Sequence, residues 1–241
     1  MTHTANPSLI DDLVIANHIL VNEGVVDGFG HISVRHDKHP DRFLIARSMA
    51  PALVNAGDIV SCDLDGEVHD AQGRHSYVER FIHSEIYRAR PDVVAVIHSH
   101  SPSVIPFGVT GARLRPICHM SGFLGATTPV FEIRHSGGES TDLLVRNQLL
   151  GRALANVLGP SAVALMRGHG SVTVGSSIQQ VVFRAIYTES SARLQAQAMA
   201  LGEVNFLTDA EAAATSAMND EHLDRPWQMW KRKVTGANAP R

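Results

Sequence analysis

The chain has 241 residues, 44% hydrophobic and 19% charged, a composition that supports a buried core and an ordinary globular protein. Its 21 Lys and Arg against 24 Asp and Glu give a net charge of -3, which leaves no basic stripe for nucleic acid or an anionic membrane surface. No apolar run nears the roughly 20 residues that cross a bilayer, the N-terminal MTHTANPSLIDD has no secretory pattern, and Cys62 and Cys118 lack metal or redox spacing, so a cytoplasmic protein with reduced thiols is expected.

Residues 8–24 (SLIDDLVIANHILVNEG) repeat apolar groups at helical spacing and stop at Gly24, which predicts a helix. HISVR (31–35) and DRFLIAR (41–47) read as strands around a turn at Lys38–Pro40, and 59–70 reads as a hairpin turning at Asp65–Gly66. ERFIHSEIYRARP (79–91) is a helix that stops before Pro91. VVAVIHSH is a buried strand, SPSVIPFGVTG (101–111) a short helix or irregular segment, and TTPVFEI (127–133) a strand. TDLLVRNQLLGRALANVLG (141–159) predicts a helix closed by Gly159. SAVALMRGHGSVTVG (161–175) predicts two strands joined at Gly168–Gly170, and 177–202 one long helix. From about 203 a polar, Ala-rich tail is expected, with Trp227 and Trp230 near its end. No repeat or long linker divides the chain, so one domain over 1–241 is expected. Strands and helices mix without a βαβ rhythm, which predicts an α/β protein with a mostly antiparallel sheet flanked by helices.

Histidine is the compositional outlier, at 14 copies. In VVAVIHSHSP (93–102), His98 and His100 fall at alternate positions of a strand, on one face and about 6–7 Å apart at Cα. Such a pair is either two solvated imidazoles at a strand end or half of a metal site, since two imidazole nitrogens at that spacing can converge on one ion. His169 stands between two glycines in RGHGS, directly after the apolar AVALM. Glycine leaves room there for a bound group, although a tight hairpin would use the same residues. Glu79 opens the helix in YVERFIH, where a carboxylate also suits the first turn. Three imidazoles and a carboxylate would hold a divalent ion and leave a position open to substrate.

In order and spacing, ANHILVNEG, GFGHIS, RSMAP, ERFIHSEIYRARPDVVAVIHSHSP and MRGHG resemble the class II aldolase and adducin-like family over roughly residues 8–200. The resemblance implies a single-domain α/β/α sandwich with a mostly antiparallel central sheet. It implies that His98, His100 and His169 ligate a divalent metal and that Glu79 is the acid/base group beside it, or itself a ligand. It also implies a homotetramer with sites at subunit interfaces, where Trp227 and Trp230 would close a neighbour's site. Three imidazoles suit Zn2+, and an oxygen-rich shell completed by substrate equally suits Mn2+, Fe2+ or Co2+.

The chain departs from the sugar-phosphate members of that family. Tyr77 and Val78 stand where those members place a serine pair before the glutamate, His31 stands at their asparagine, and Met49 follows Ser48 in place of glycine. Losing those donors weakens a phosphate site. The proton-donating tyrosine of sugar-phosphate aldolases has no counterpart in TPVFEI, where Val130 and Phe131 stand. Phe29, Met49 and Tyr77 would make a flatter, more apolar pocket, with Arg47, Ser48 and His31 left to hold carboxylate or phenolic oxygens.

That pattern resembles the decarboxylase branch, whose substrates are ring dicarboxylates such as 3,4-dihydroxyphthalate and 3-hydroxy-2-methylpyridine-4,5-dicarboxylate. The chemistry implied is loss of carbon dioxide from a ring chelated through a hydroxyl and its neighbouring carboxylate. Arg47 would pair with a second carboxylate, and a protonated Glu79 would return a proton to the ring carbon. His119, in ICHMSG, falls where the family has a pocket histidine and reads equally as a packed side chain; Arg80 reads as a substrate group or a helix-surface residue. His83, one helical turn from Glu79, reads as structural. Two rivals are a sugar-phosphate or hydroxy-acid aldolase or epimerase and a non-catalytic adducin-like interaction module; the intact Glu79–His98–His100–His169 set opposes the second.

Overall fold

The computed structural model describes residues 5–69 and 73–236. Its first element, α1 (Pro7–Asn22), starts where the Asn6 side chain accepts the Ser8 N–H and where Pro7 occupies a first-turn position that needs no donor. Four strands follow: β1 (His31–Arg35), β2 (Arg42–Ala46), β3 (Ile59–Asp63) and β4 (Val68–His69). Asp63 Oδ1 shapes the turn between the last two by accepting the Asp65 and Glu67 N–H groups. The last residue of the predicted hairpin, Asp70, lies outside the described residues. Then come α2 (Arg80–Ala89), β5 (Ala95–Ser99), α3 (Ile105–Val109), β6 (Val130–Phe131) and α4 (Arg134–Gly137). The chain continues through α5 (Gln148–Leu158), β7 (Val163–Met166), β8 (Gly170–Gly175), α6 (Ile178–Leu201), α7 (Asp209–Asp220) and α8 (Asp224–Thr235).

The strands form one eight-stranded sheet in the order β4-β3-β2-β1-β5-β8-β7-β6, antiparallel at every pairing except β6 with β7. Period-two alternation sends Ile32, Val34, Leu44, Ala46, Ala95 and Ile97 to one face, where α1, α6 and α8 cover them. Phe43, Ile45, Val60, Val96, Val172 and Val174 face the other way, beneath α2 and α5. The result is the expected mixed α/β fold, a three-layer sandwich in one domain. No helix among the described residues is long and apolar enough to cross a membrane.

Two segments differ from the sequence pattern. The helix predicted over 141–159 begins only at Gln148, because the Asn147 side chain caps it by accepting the Leu150 N–H. Before it, Leu143 adopts a φ of 69°, a left-handed conformation that breaks a helix and that a bulky residue adopts only under tertiary constraint. The region from 203 is likewise no loose tail. Thr208 and Glu211 form a reciprocal capping box that starts α7, and α8 buries Trp227 and Trp230, each 3% exposed, against the face that carries α1 and α6. Both tryptophans therefore belong to this chain's own core and are not free to close a neighbour's site.

Gly170, at φ +149°, admits no side chain: an added Cβ would lie 2.0 Å from the Ser99 carbonyl oxygen. Gly170→Ala is expected to part β5 from β8 where His98 and Ser99 pair with Val172 and Ser171, costing at least about 2–3 kcal/mol. A urea denaturation midpoint equal to that of the unsubstituted protein would contradict this close approach.

Candidate metal centre

β5 brings the first two histidines to one place. His98 lies within the strand, its register partners being His31 on β1 and Val172 on β8, and His100 is one residue beyond the strand end. The segment after His100 is held by Glu189 on α6, whose Oε2 accepts from Ser101 Oγ (2.5 Å) and the Ser103 N–H (3.0 Å). His169 sits in the β7–β8 turn, closed by its own N–H donating to the Met166 carbonyl at 3.0 Å. Gly168, at φ +67°, supplies the left-handed residue that this turn requires.

The three rings converge through Nε2: His98 to His100 at 3.1 Å and His100 to His169 at 3.0 Å. Glu79, at the N-cap position of α2, directs Oε2 to within 3.5 Å of His98 Nε2 and 3.6 Å of His169 Nε2. Its Oε1 accepts the Val145 N–H at 2.9 Å, so the strained 141–147 segment anchors the carboxylate. Ligand atoms of all four residues lie within 4.8 Å of one another.

The electrostatics fit a cation. Burial pushes His98 down to about 3, aided by His100; burial and then His98 push His169 down to about 4, against the opposing pull of Glu79. His98 and His169 are therefore neutral near pH 7, as ligation requires, and their contacts with Glu79 are not ion pairs. His98 Nδ1 donates to the Ser171 carbonyl at 3.1 Å, which leaves the lone pair on Nε2, facing the cluster. Converging Nε2 atoms 3.0–3.1 Å apart can turn their lone pairs together onto one cation. Three imidazoles and a carboxylate are donors that Zn2+, Mn2+, Fe2+ and Co2+ all accept.

A cavity of about 380 Å³ opens onto this cluster, lined by residues 28–31, 48–50 and 77–79 together with His100 and Leu144. Phe29, His31, Ser48, Met49, Tyr77 and Val78 are thus brought to one wall system. Phe29 is 70% exposed at the mouth, its ring 6.2 Å from that of His100. Tyr77 donates to the Met49 carbonyl at 2.7 Å, and burial raises its phenol to about 12, so it presents a neutral face. Two larger cavities of about 570 Å³ lie elsewhere, and neither contains any of the four ligand residues.

Other expected site residues fall outside that lining. Arg47, one step beyond β2, donates from Nε to Asp58 Oδ1 at 2.7 Å and is 39% exposed at its side chain. It stands at the rim, near enough to Tyr77 for its charge to favour the phenolate. Arg80 lies over the Phe81 ring, at 4.6 Å, and donates to the Gly66 and Tyr77 carbonyls, a helix-surface role. His119 is exposed, and its carbonyl accepts from Asn219 on α7. His83 is fully buried and reaches the cavity wall by contacting His31. Sequence reasoning missed Leu144, the Val145 N–H and Glu189. Only the last left a signal, a lone acid on the buried face of a long helix.

A family model described as class II aldolase and adducin N-terminal domain matches residues 11–196. The chain belongs to this family. The matched stretch of the class II aldolase domain runs from within α1 to within α6 and contains all four candidate ligands; α7 and α8 lie beyond it. Over 244 aligned residues, covering 90% of both chains, the protein is 39% identical to decarboxylase tropJ of Talaromyces stipitatus. It is 31% identical over 203 residues to a 3,4-dihydroxyphthalate decarboxylase of Arthrobacter keyseri, covering 79% of this chain and 78% of the other. An L-fuculose 1-phosphate aldolase from Glaciozyma antarctica shares the fold, with a TM-score of 0.78 over 97% of this chain and 92% of its own, at 23% identity.

Proposed function

We propose that this protein is a divalent-metal-dependent carboxy-lyase that removes carbon dioxide from a hydroxylated aromatic ring dicarboxylate, of the 3,4-dihydroxyphthalate or 3-hydroxy-2-methylpyridine-4,5-dicarboxylate type. The observation that carries this reading is the buried His98–His100–His169–Glu79 cluster opening into a cavity walled by Phe29, Met49, Tyr77 and Val78. Two relatives named as decarboxylases support it. The serine pair that would favour a phosphorylated sugar is replaced by a committed phenol and a valine.

A bound divalent cation would supply a Lewis acid that accepts charge as the C–C bond breaks. The chain's own residues do the rest. Phe29, Met49 and Tyr77 offer flat, apolar contact to a ring and exclude water from it. The Val145 N–H holds Glu79 Oε1, so Oε2 is the oxygen that carries a proton to the ring carbon. Arg47, oriented by Asp58, and Ser48 hold a second carboxylate from the rim. The exposure of Phe29 and of Val78 (53%) at the mouth suits a homotetramer whose sites are completed at subunit interfaces.

The experiment is release of carbon dioxide from a panel of hydroxylated aromatic dicarboxylates, with Mn2+ and Zn2+ added in turn. Parallel titrations use a phosphorylated sugar acid and a hydroxyphthalate. Arg47→Ala is expected to raise KM for the ring diacid roughly tenfold, about 1.4 kcal/mol, the moderate size reflecting its exposure. Arg47→Lys should fall between, having lost the planar fork. Tight binding of the phosphorylated sugar, indifferent to Arg47, would restore an aldolase reading.

A further inference from the structure

A chain of buried polar groups runs from the cavity wall into the core. Tyr87 Oη lies 2.8 Å from Ser33 Oγ, Ser33 Oγ lies 2.6 Å from His83 Nδ1, and His83 Nε2 lies 2.6 Å from His31 Nδ1. Ser33 and His83 are fully buried, Tyr87 is 2% exposed and His31 4%. His31 is the member that lines the cavity. It is clamped there by ring contacts with Tyr77 (4.5 Å), His83 (4.8 Å) and His98 (5.2 Å).

We propose that His31 presents an N–H from Nε2 to a substrate carboxylate or phenolic oxygen, and that Tyr87, Ser33 and His83 form the hydrogen-bond chain that sets this tautomer. The substrate half of the proposal rests on the aromatic-acid reading above.

Each link is compatible with a proton on either side, so the chain has two polarities, and the far end decides between them. The Val94 carbonyl lies 3.3 Å from Tyr87 Oη, beyond the usual 2.5–3.0 Å of an O–H···O bond, whereas Ser33 Oγ lies within it. The Tyr87 proton is therefore better used on Ser33 at 2.8 Å. Ser33 then spends its single proton on His83 Nδ1, which makes Nδ1 the acceptor and puts the His83 proton on Nε2. That proton faces His31 Nδ1, so the remaining N–H of His31 is on Nε2. Both rings are buried and bond only to each other and to Ser33, with no carboxylate among their hydrogen-bond partners to hold a second proton, so each carries one N–H. A neutral ring has one N–H, so assigning one nitrogen assigns the other. No described residue accepts from His31 Nε2.

The consequence is a directional one. With this polarity the wall next to His98 carries a donor, which an anionic oxygen accepts. With the reverse polarity the same atom would carry a lone pair and repel that oxygen. Tyr77 cannot substitute, because its proton is committed to the Met49 carbonyl. Ser33 and His83 are thus positioning residues that act through His31.

The test combines nitrogen NMR with kinetics on the full-length protein loaded with Zn2+, a diamagnetic probe. In the unsubstituted protein, His31 and His83 should both show the Nε2–H tautomer, assigned by loss of each signal in His31→Gln and His83→Gln. Ser33→Ala removes the donor to His83 Nδ1. It should convert His31 to a mixture of tautomers and raise KM for the ring diacid roughly tenfold, with zinc content and kcat changed far less. His31→Gln places an amide N–H near the Nε2 position and should retain more affinity than His31→Asn, which is too short; a merely structural histidine would not separate the two. A Nδ1–H tautomer at His31, or a Ser33→Ala protein with unchanged tautomer and KM, would overturn the proposal. Failure of every aromatic acid to bind would sink the aromatic-acid reading alone. The tautomers, read without substrate, would still support or overturn the donor.

Discussion

Alanine at His98, His100 or His169 is expected to strip the protein of bound divalent metal and lower kcat/KM by more than about 10³-fold. The magnitude follows from the geometry. The three Nε2 atoms stand 3.0–3.1 Å apart in sequence, so each ring supplies one of few donors and no neighbour can move in to replace it. Loss of an outer-shell partner typically costs 10–100-fold, and loss of a ligand costs more. His98→Ala should have the largest effect, because that ring is fully buried and is aligned by the Ser171 carbonyl. Metal content by elemental analysis, measured beside activity, checks this. Full occupancy in one variant removes that residue from the ligand set.

The second large effect is expected at Glu79. Glu79→Gln keeps an oxygen to accept the Val145 N–H but has no proton to deliver from the other position. Turnover should fall by at least about 10²-fold while metal content stays near that of the unsubstituted protein. Metal loss in this variant would make Glu79 a ligand first. Unsubstituted turnover would remove Glu79 as the proton donor.

The separation of these two tests depends on a feature that periodicity conceals. The apolar positions of 141–159 continue the pattern of a helix, yet 141–147 is a loop with Leu143 at φ 69°. A helix through Val145 would bond its N–H within the helix, and Glu79 would lose its anchor. The local pattern was obeyed only where the Asn147 cap allowed it. The same holds at the C-terminal end, where small residues give α7 little amphipathic contrast. Its position is set by contact with the turn at 119–124, where a Cβ on Gly122 would meet the Ala212 carbonyl at 2.4 Å.

The sequence by itself determined the layers of this protein and the identity of its cluster. Alternation in VVAVIHSH placed His98 and His100 on one face, and the glycines around His169 marked a turn open to a bound group. Those are local facts, fixed by the two-residue repeat of a strand and by the backbone freedom of glycine. What only the tertiary structure decided was which distant groups stand beside them. The β1–β5 register set His31 opposite His98, the β2 end turned Arg47 onto Asp58 at the rim, and the packing of α2 on the sheet joined His83 and Tyr87 to Ser33. Such neighbours are separated by 11 to 67 residues along the chain. Their meeting is set by strand order and sheet packing, which no short-range repeat encodes.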